Sequence, residues 1–367
     1  MNQDKTKALL KKYLKGECNE EERKLLESWY NHQIQKESLS EDINYELLEK
    51  HIWEKLDIPD NRKIRNRYLH WAAAAIVLVF SAISLYLFVG RSEIGQSELL
   101  IVPGSNMAKL SFSDGKEINL DEVTAGETIV LNDIKVYKNK DGELVYKVAG
   151  ADDTKAIFSL LETPKGGQYQ IELADGTKAW LNAASSIRFP SVFAKQERLV
   201  EITGEVYFEV AKDPKRPFKV KASEQFIEVL GTHFNVNAYH DEPNAVVTLL
   251  EGAVKVQSFG KDYFLKPDQQ IQTSLANRSS VVSEVSAEDA IAWKNGIFQF
   301  SDEKVSSIMR KISRWYNVDV VFAQNFTDKQ IAGSISKYED VAKVLDMLAL
   351  TNVVHFQIQG RRIVVMP

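Results

Sequence analysis

The run WAAAAIVLVFSAISLYLFV, Trp71 to Val89, constrains this chain more than any other stretch. It carries no charge, no Pro and no Gly, and its only polar side chains are Ser81, Ser84 and Tyr86. About 19 residues of helix at ~1.5 Å each match the ~30 Å core of a bilayer. Hydroxyls can return their hydrogen bonds to the helix backbone, so lipid tolerates them. A buried helix of a soluble domain keeps a polar stripe, and none is visible; the apolar core of a cleaved signal peptide starts nearer the N-terminus and is shorter. The sequence therefore predicts a transmembrane helix over 71–89. Arg62, Lys63, Arg65 and Arg67 precede it and only Arg91 follows at similar range. The positive-inside rule then predicts a cytoplasmic N-terminus and an exported body from Gly90 to Pro367.

A chain of 367 residues calls for two or three folded units. A net charge of −5 gives no reason to expect nucleic-acid binding. The single cysteine, Cys18, precedes the span, so the exported part has neither disulfide nor cysteine metal site and relies on its core.

Residues 1–60 read as a small all-α head. Leu9, Leu10, Tyr13 and Leu14 recur at helical spacing before Gly16. Asn19 with Glu22 forms a capping-box pattern, and the helix behind it shows Leu25, Leu26, Trp29 and Tyr30 on one face. Ser38 and Glu41 can cap a third helix, which Pro59 ends. So short a bundle has a small core, and its aromatic side chains serve either a partner or a self-contained bundle. Residues 61–70 are a basic juxtamembrane linker.

From Leu99 the apolar period becomes two, and an all-β domain is predicted over 99–280, a sandwich or a short β-solenoid. VPGSNMAKLSFSDGKEINL (102–120) repeats as TPKGGQYQIELADGTKAWL (163–181), with Pro, Asp-Gly and the final Leu in register. Each copy reads as a hairpin closed at Asp-Gly. Around Gly231-Thr232 the apolar phase slips: Ile227 and Val229 lie on odd positions, Phe234, Val236 and Ala238 on even ones. Such a slip needs a bulge or kink, which Gly permits. Over 287–367 the order βαββαββ predicts a small α/β sandwich of two helices on one sheet. Val305, Ile308, Met309, Ile312 and Trp315 share one helix face, and Ser336 and Glu339 start the other helix. This last domain shows no cleft pattern, and its strand edges suit pairing with another protein.

No phosphate loop, dinucleotide fingerprint, HExxH or GxSxG motif occurs. His233 and His240, with Asp241 adjacent, lack a third partner for a metal. No cofactor is expected, and Asp152-Asp153 and Glu288-Asp289 read as solvated carboxylates.

LLKKYLKGECNEEERKLLESWY, GEVYFEVAKDPKRPFKV, VLGTHFNV and WKNGIFQFSDEKVSSIMRKISRWYNV, with the second repeat copy, together resemble the FecR family of anti-sigma factors in its Bacteroidota-type form. The C-terminal domain of that form is similar to the short signalling domain of secretins and TonB receptors. The resemblance implies an inner-membrane protein whose cytoplasmic head sequesters an extracytoplasmic-function sigma factor. Its periplasmic body would sense the signalling domain of an outer-membrane TonB-dependent transporter. Envelope proteases would then release the sigma factor. Leu10, Tyr13, Leu14, Trp29 and Tyr30 are the expected sigma contacts. Some relatives cut themselves at a Gly-Thr bond, which maps to Gly231-Thr232. There the Thr232 hydroxyl would attack the preceding carbonyl once, with no turnover of an external substrate. The alternative is an anchored periplasmic binding or scaffold protein, holding a glycan or another partner, without a sigma factor.

Overall fold

The computed structural model describes residues 101–367 apart from 132, 133, 141 and 149–156, together with residues 19, 21, 22, 24 and 25. The chain divides into two units, Met1–Arg91 and Ser92–Pro367.

In the second unit, alternating apolar side chains build two sheets on one core. The first sheet runs from Glu117–Asn119 through Lys109–Phe112, Phe158–Thr163 and Ser185–Pro190 to Phe218–Ala222, Gln225–Val229, Val254–Ser258 and Lys261–Leu265. The second runs from Thr128–Leu131 through Ile134–Lys138, Leu144–Val148, Gly167–Glu172 and Lys178–Leu181 to His233–Ala238, Asn244–Glu251, Gln269–Ser274 and Ser279–Glu284. Ile202, Phe218 and Ile227 of the first face Phe208, Phe234 and Val247 of the second in one apolar cluster. Burying both inner faces is what holds a sandwich together.

The long strand Arg198–Glu209 belongs to both sheets. Its first half pairs with Ser185–Pro190 and Phe218–Ala222, its second half with Lys178–Leu181 and His233–Ala238. The change falls at Gly204, whose φ is 76° and whose missing Cβ would meet the Ser185 Cα at 2.7 Å. Both repeat copies form hairpins, closed at Asp114-Gly115 and Asp175-Gly176. In each, the Asp carboxylate accepts from the backbone N–H two residues on, at 3.1 Å.

A 3₁₀ helix, Ala287–Ile291, leads into the last domain. Strand Ile297–Lys304 is followed by α1 (Val305–Tyr316), and α2 spans Val341–Ala349. The apolar stripe of α1 is buried, as its spacing predicts. Two details differ from the sequence reading. The helices lie on two small sheets instead of one: Ile297–Lys304 pairs with Gln330–Ser336, while Asp319–Phe322 pairs in parallel with Arg362–Met366. The N-cap of α2 is Asp340, whose carboxylate accepts from the Ala342 N–H at 2.8 Å.

The predicted fold class needs a larger correction. Among the described residues the protein is mostly β, with both complete α-helices in the last domain. No described helix is long and apolar enough to cross a membrane. The small all-α head and the transmembrane helix are therefore not supported. Span 71–89 lies outside the described residues, as does all of 1–60 except five positions, of which Glu21, Glu22, Lys24 and Leu25 are helical. There the capping box is present: the Asn19 N–H donates to Glu22 Oε2 at 3.2 Å and the Glu22 N–H to Asn19 Oδ1 at 2.8 Å. Periodicity and an uncharged run state what a segment can bury; packing supplies most of a helix's stability.

Candidate functional site

Gly231 and Thr232 sit where the chain leaves the first sheet, at Val229, and joins the second, at His233. The phase slip is thus a crossing between sheets, with a further register shift at His233/Phe234. Gly231 has a φ of 155°, and a Cβ there would meet the Lys212 Cα at 2.8 Å. Thr232 is buried, and its Oγ1 donates to the Ala253 carbonyl at 3.0 Å. The Thr232 carbonyl accepts from the Val210 N–H at 3.0 Å. Gly252 closes over the pair, since a Cβ on it would lie 2.9 Å from Thr232 Oγ1 and 3.2 Å from the Gly231 oxygen. This corner holds the Thr232 hydroxyl, buried, next to the Gly231-Thr232 bond. The partner of the hydroxyl is a carbonyl oxygen, which orients it without taking its proton.

The second constellation lies where the last domain meets the sandwich. Arg314 of α1 donates through Nη1 to both carboxylate oxygens of Asp241, at 2.9 and 3.0 Å. Its Nη2 donates to Glu242 Oε1 at 2.7 Å, and Arg310 Nε donates to Glu242 Oε2 at 2.9 Å. The Arg314 guanidinium also stacks 3.9 Å from the Tyr239 ring. Tyr239 is buried and donates to the Ala183 carbonyl at 2.6 Å. Burial, and Glu205 after it, push its pKa above the ordinary tyrosine range.

Next to Arg314 in sequence, Trp315 fills a slot between the loops that begin the two repeat copies. Ser105–Asn106 pairs in parallel with Gly167–Gln168. A Cβ on Gly104 would meet the Trp315 ring at 2.7 Å, and the Gly166 N–H donates to the Arg314 carbonyl at 2.7 Å. Lys337 covers the other side of the indole, its Nζ 3.5 Å from the ring centroid. That ammonium donates to Gln168 Oε1 at 2.9 Å and to the Trp293 carbonyl at 3.1 Å. Burial lowers its pKa to about 7, against a smaller upward pull from Glu205.

Beside this contact a cleft of about 600 Å³ opens. Glu205 lies in its wall, accepting from Asn182 Nδ2 at 2.8 Å and from Asn235 Nδ2 at 3.0 Å. The sequence reading assigned no cleft to the last domain; the structure forms one from both domains together.

Of the predicted site residues, Leu10, Tyr13, Leu14, Trp29 and Tyr30 lie outside the described residues. Asp241, weighed as a metal ligand, is held by Arg314, and His233 Nδ1 lies 3.3 Å from Glu251. Asp289 accepts from Ser301 Oγ at 2.7 Å in the cleft wall, so it is not a bare solvated carboxylate. Arg314, Lys337 and Glu205 were missed. Arg314 borders the apolar stripe of α1, and Glu205 alternates with buried Val206, so each reads as solvated.

Two family models match the chain: FecR protein over residues 159–255, and FecR, C-terminal over 297–365. No curated protein matches it. Two crystal structures of a candidate anti-sigma factor from Parabacteroides distasonis ATCC 8503, at 1.65 and 2.50 Å, are similar. The first is 29% identical, with a TM-score of 0.54, covering 56% of this chain and 97% of that one. The second is 29% identical, with a TM-score of 0.55, covering 57% and 98%. The FecR match spans the sheet crossing at Gly231, and the C-terminal match spans α1 and Lys337, so both constellations fall within matched segments. Sequence motifs, the two matched segments and the structural likeness support one reading, a FecR-family anti-sigma factor.

Proposed function

We propose that this chain sequesters an extracytoplasmic-function sigma factor through its N-terminal segment and frees it on a signal received by its body. The observation that carries this is the pairing of a FecR domain with a FecR C-terminal domain on one chain, in the fold shared with the Parabacteroides protein. On this reading Leu10, Tyr13, Leu14, Trp29 and Tyr30 contact the sigma factor. Residues 1–60 act in the cytoplasm and the body in the periplasm, where the signalling domain of a TonB-dependent transporter docks. Reporter fusions at both ends would read that topology. Replacing Trp29 with Ala should raise basal transcription of the sigma factor's targets. Unchanged transcription, with the variant present at normal level, counts against this face.

Release proceeds by proteolysis, and the Gly231-Thr232 corner supports a first, self-inflicted cut. The Thr232 oxygen loses its proton and attacks the Gly231 carbonyl carbon. The C–N bond breaks, the freed amine takes up the proton, and water hydrolyses the resulting ester. The strands on either side are laddered into different sheets, so both pieces stay bound after the cut. Thr232→Ala should abolish the fragment seen by blotting with an antibody to the body; identical banding would exclude self-cleavage.

A further inference from the structure

Two rows of side chains cross the outward face of the second sheet. One runs Tyr207, Asn235, Thr248, Gln270; the other runs Glu205, Asn237, Val246, Gln272. The outward face of a sandwich ordinarily meets water. Here Asn235 is 3% exposed and Thr248 1%, because both line the cleft beside Trp293. Three of its polar atoms, Asn235 Oδ1, Asn237 Oδ1 and Trp293 Nε1, are buried with no hydrogen-bond partner among the described residues. Folded proteins rarely leave such atoms unmatched. The Glu205 carboxylate, fixed by two Asn amides, forms no ion pair among the described residues.

We propose that this cleft binds a neutral polyhydroxylated molecule, a mono- or disaccharide. The wall offers acceptors at Glu205, Asn235 and Asn237 and a donor at Trp293, so its occupant must both donate and accept at close spacing. Vicinal hydroxyls do so, and planar amide and carboxylate groups match them in pairs. A free anion would face Glu205; a free cation would face Arg314 and Lys337, which also line the cleft. An extended peptide needs an open strand edge, whereas this face belongs to strands whose backbones are already laddered on both sides. The volume falls within the usual ~300–1,000 Å³ of small-molecule sites.

The test is calorimetric titration of the full chain with glucose, galactose, xylose, N-acetylglucosamine and maltose, each to ~10 mM, in the range where weak sites saturate. Saturable binding of at least one sugar is expected, weakened about tenfold by Asn237→Ala through loss of a buried hydrogen bond. Gln272→Ala, an exposed rim position with no fold role, should weaken it about threefold and serves if the Asn237 variant fails to fold. Silence toward all five sugars overturns the proposal, as does binding that Gln272→Ala and a folded Asn237→Ala leave unchanged. A high-resolution structure of the full chain showing only water or a peptide segment in the cleft would also overturn it.

Discussion

The sandwich interior and the contact between the two domains are built from opposite materials. Inside the sandwich the Phe208 ring lies 5.7 Å from that of Phe218 and 5.3 Å from that of Phe234, centroid to centroid, and most of the cluster is aliphatic. At the contact an arginine, two carboxylates, a buried lysine and an amide-lined cleft take that place. Apolar burial is non-directional and insensitive to pH. Buried charges hold only while every partner is present, and replacing a whole pair by apolar groups is often harmless. The sandwich is therefore built to persist, and the contact to specify one docking of the last domain.

Breaking each material separately sharpens this contrast. Phe208→Ala should cost ~3–5 kcal/mol in urea unfolding, through lost burial and a cavity between both sheets. Arg314→Met strips Asp241 of its cation and leaves Glu242 with Arg310 alone. It should cost about 3 kcal/mol, and hydrogen exchange should rise in α1 and at Asn244–Glu251 while Phe218–Ala222 stays protected. If the sandwich core loosened equally, the two regions would not be distinct. Gly104→Ala pushes a methyl against Trp315 and the Gly166 carbonyl, for a loss of ~1–3 kcal/mol in thermal unfolding.

The effect that depends on pH belongs to Lys337. Its folded pKa of about 7 lies below the ordinary 10.5, so between those values the unfolded chain holds the extra proton. Stability from this group therefore rises with pH from about 7 toward 10.5 and is flat below 7. The slope is at most ~1.4 kcal/mol per unit. Lys337→Met should flatten that rise in urea midpoints taken from pH 6 to 10; an unchanged slope would mean the ammonium is not desolvated.

The same contrast decides what could be read in advance. Asp114-Gly115 and Asp175-Gly176 announce their hairpins because a tight turn needs those residues locally, and Val305 to Trp315 announce α1 through a stripe of period 3.6. The phase slip at Gly231 was visible, but whether it meant a bulge or a change of sheet depended on partners far away in the chain. Arg314 meets Asp241 across 73 positions, and no local pattern encodes that pairing. Lys337 has no periodic signature, and the cleft exists only once two domains touch. The apolar run 71–89 and the aromatic pattern of the head lie outside the described residues.

The most direct measurement is titration of the purified extracytoplasmic-function sigma factor into the full chain, with Trp29→Ala beside it. Saturable stoichiometric binding, weakened at least tenfold by the substitution, is the expected result. Absence of binding by every such sigma factor of the source genome, with the body folded, would contradict sequestration.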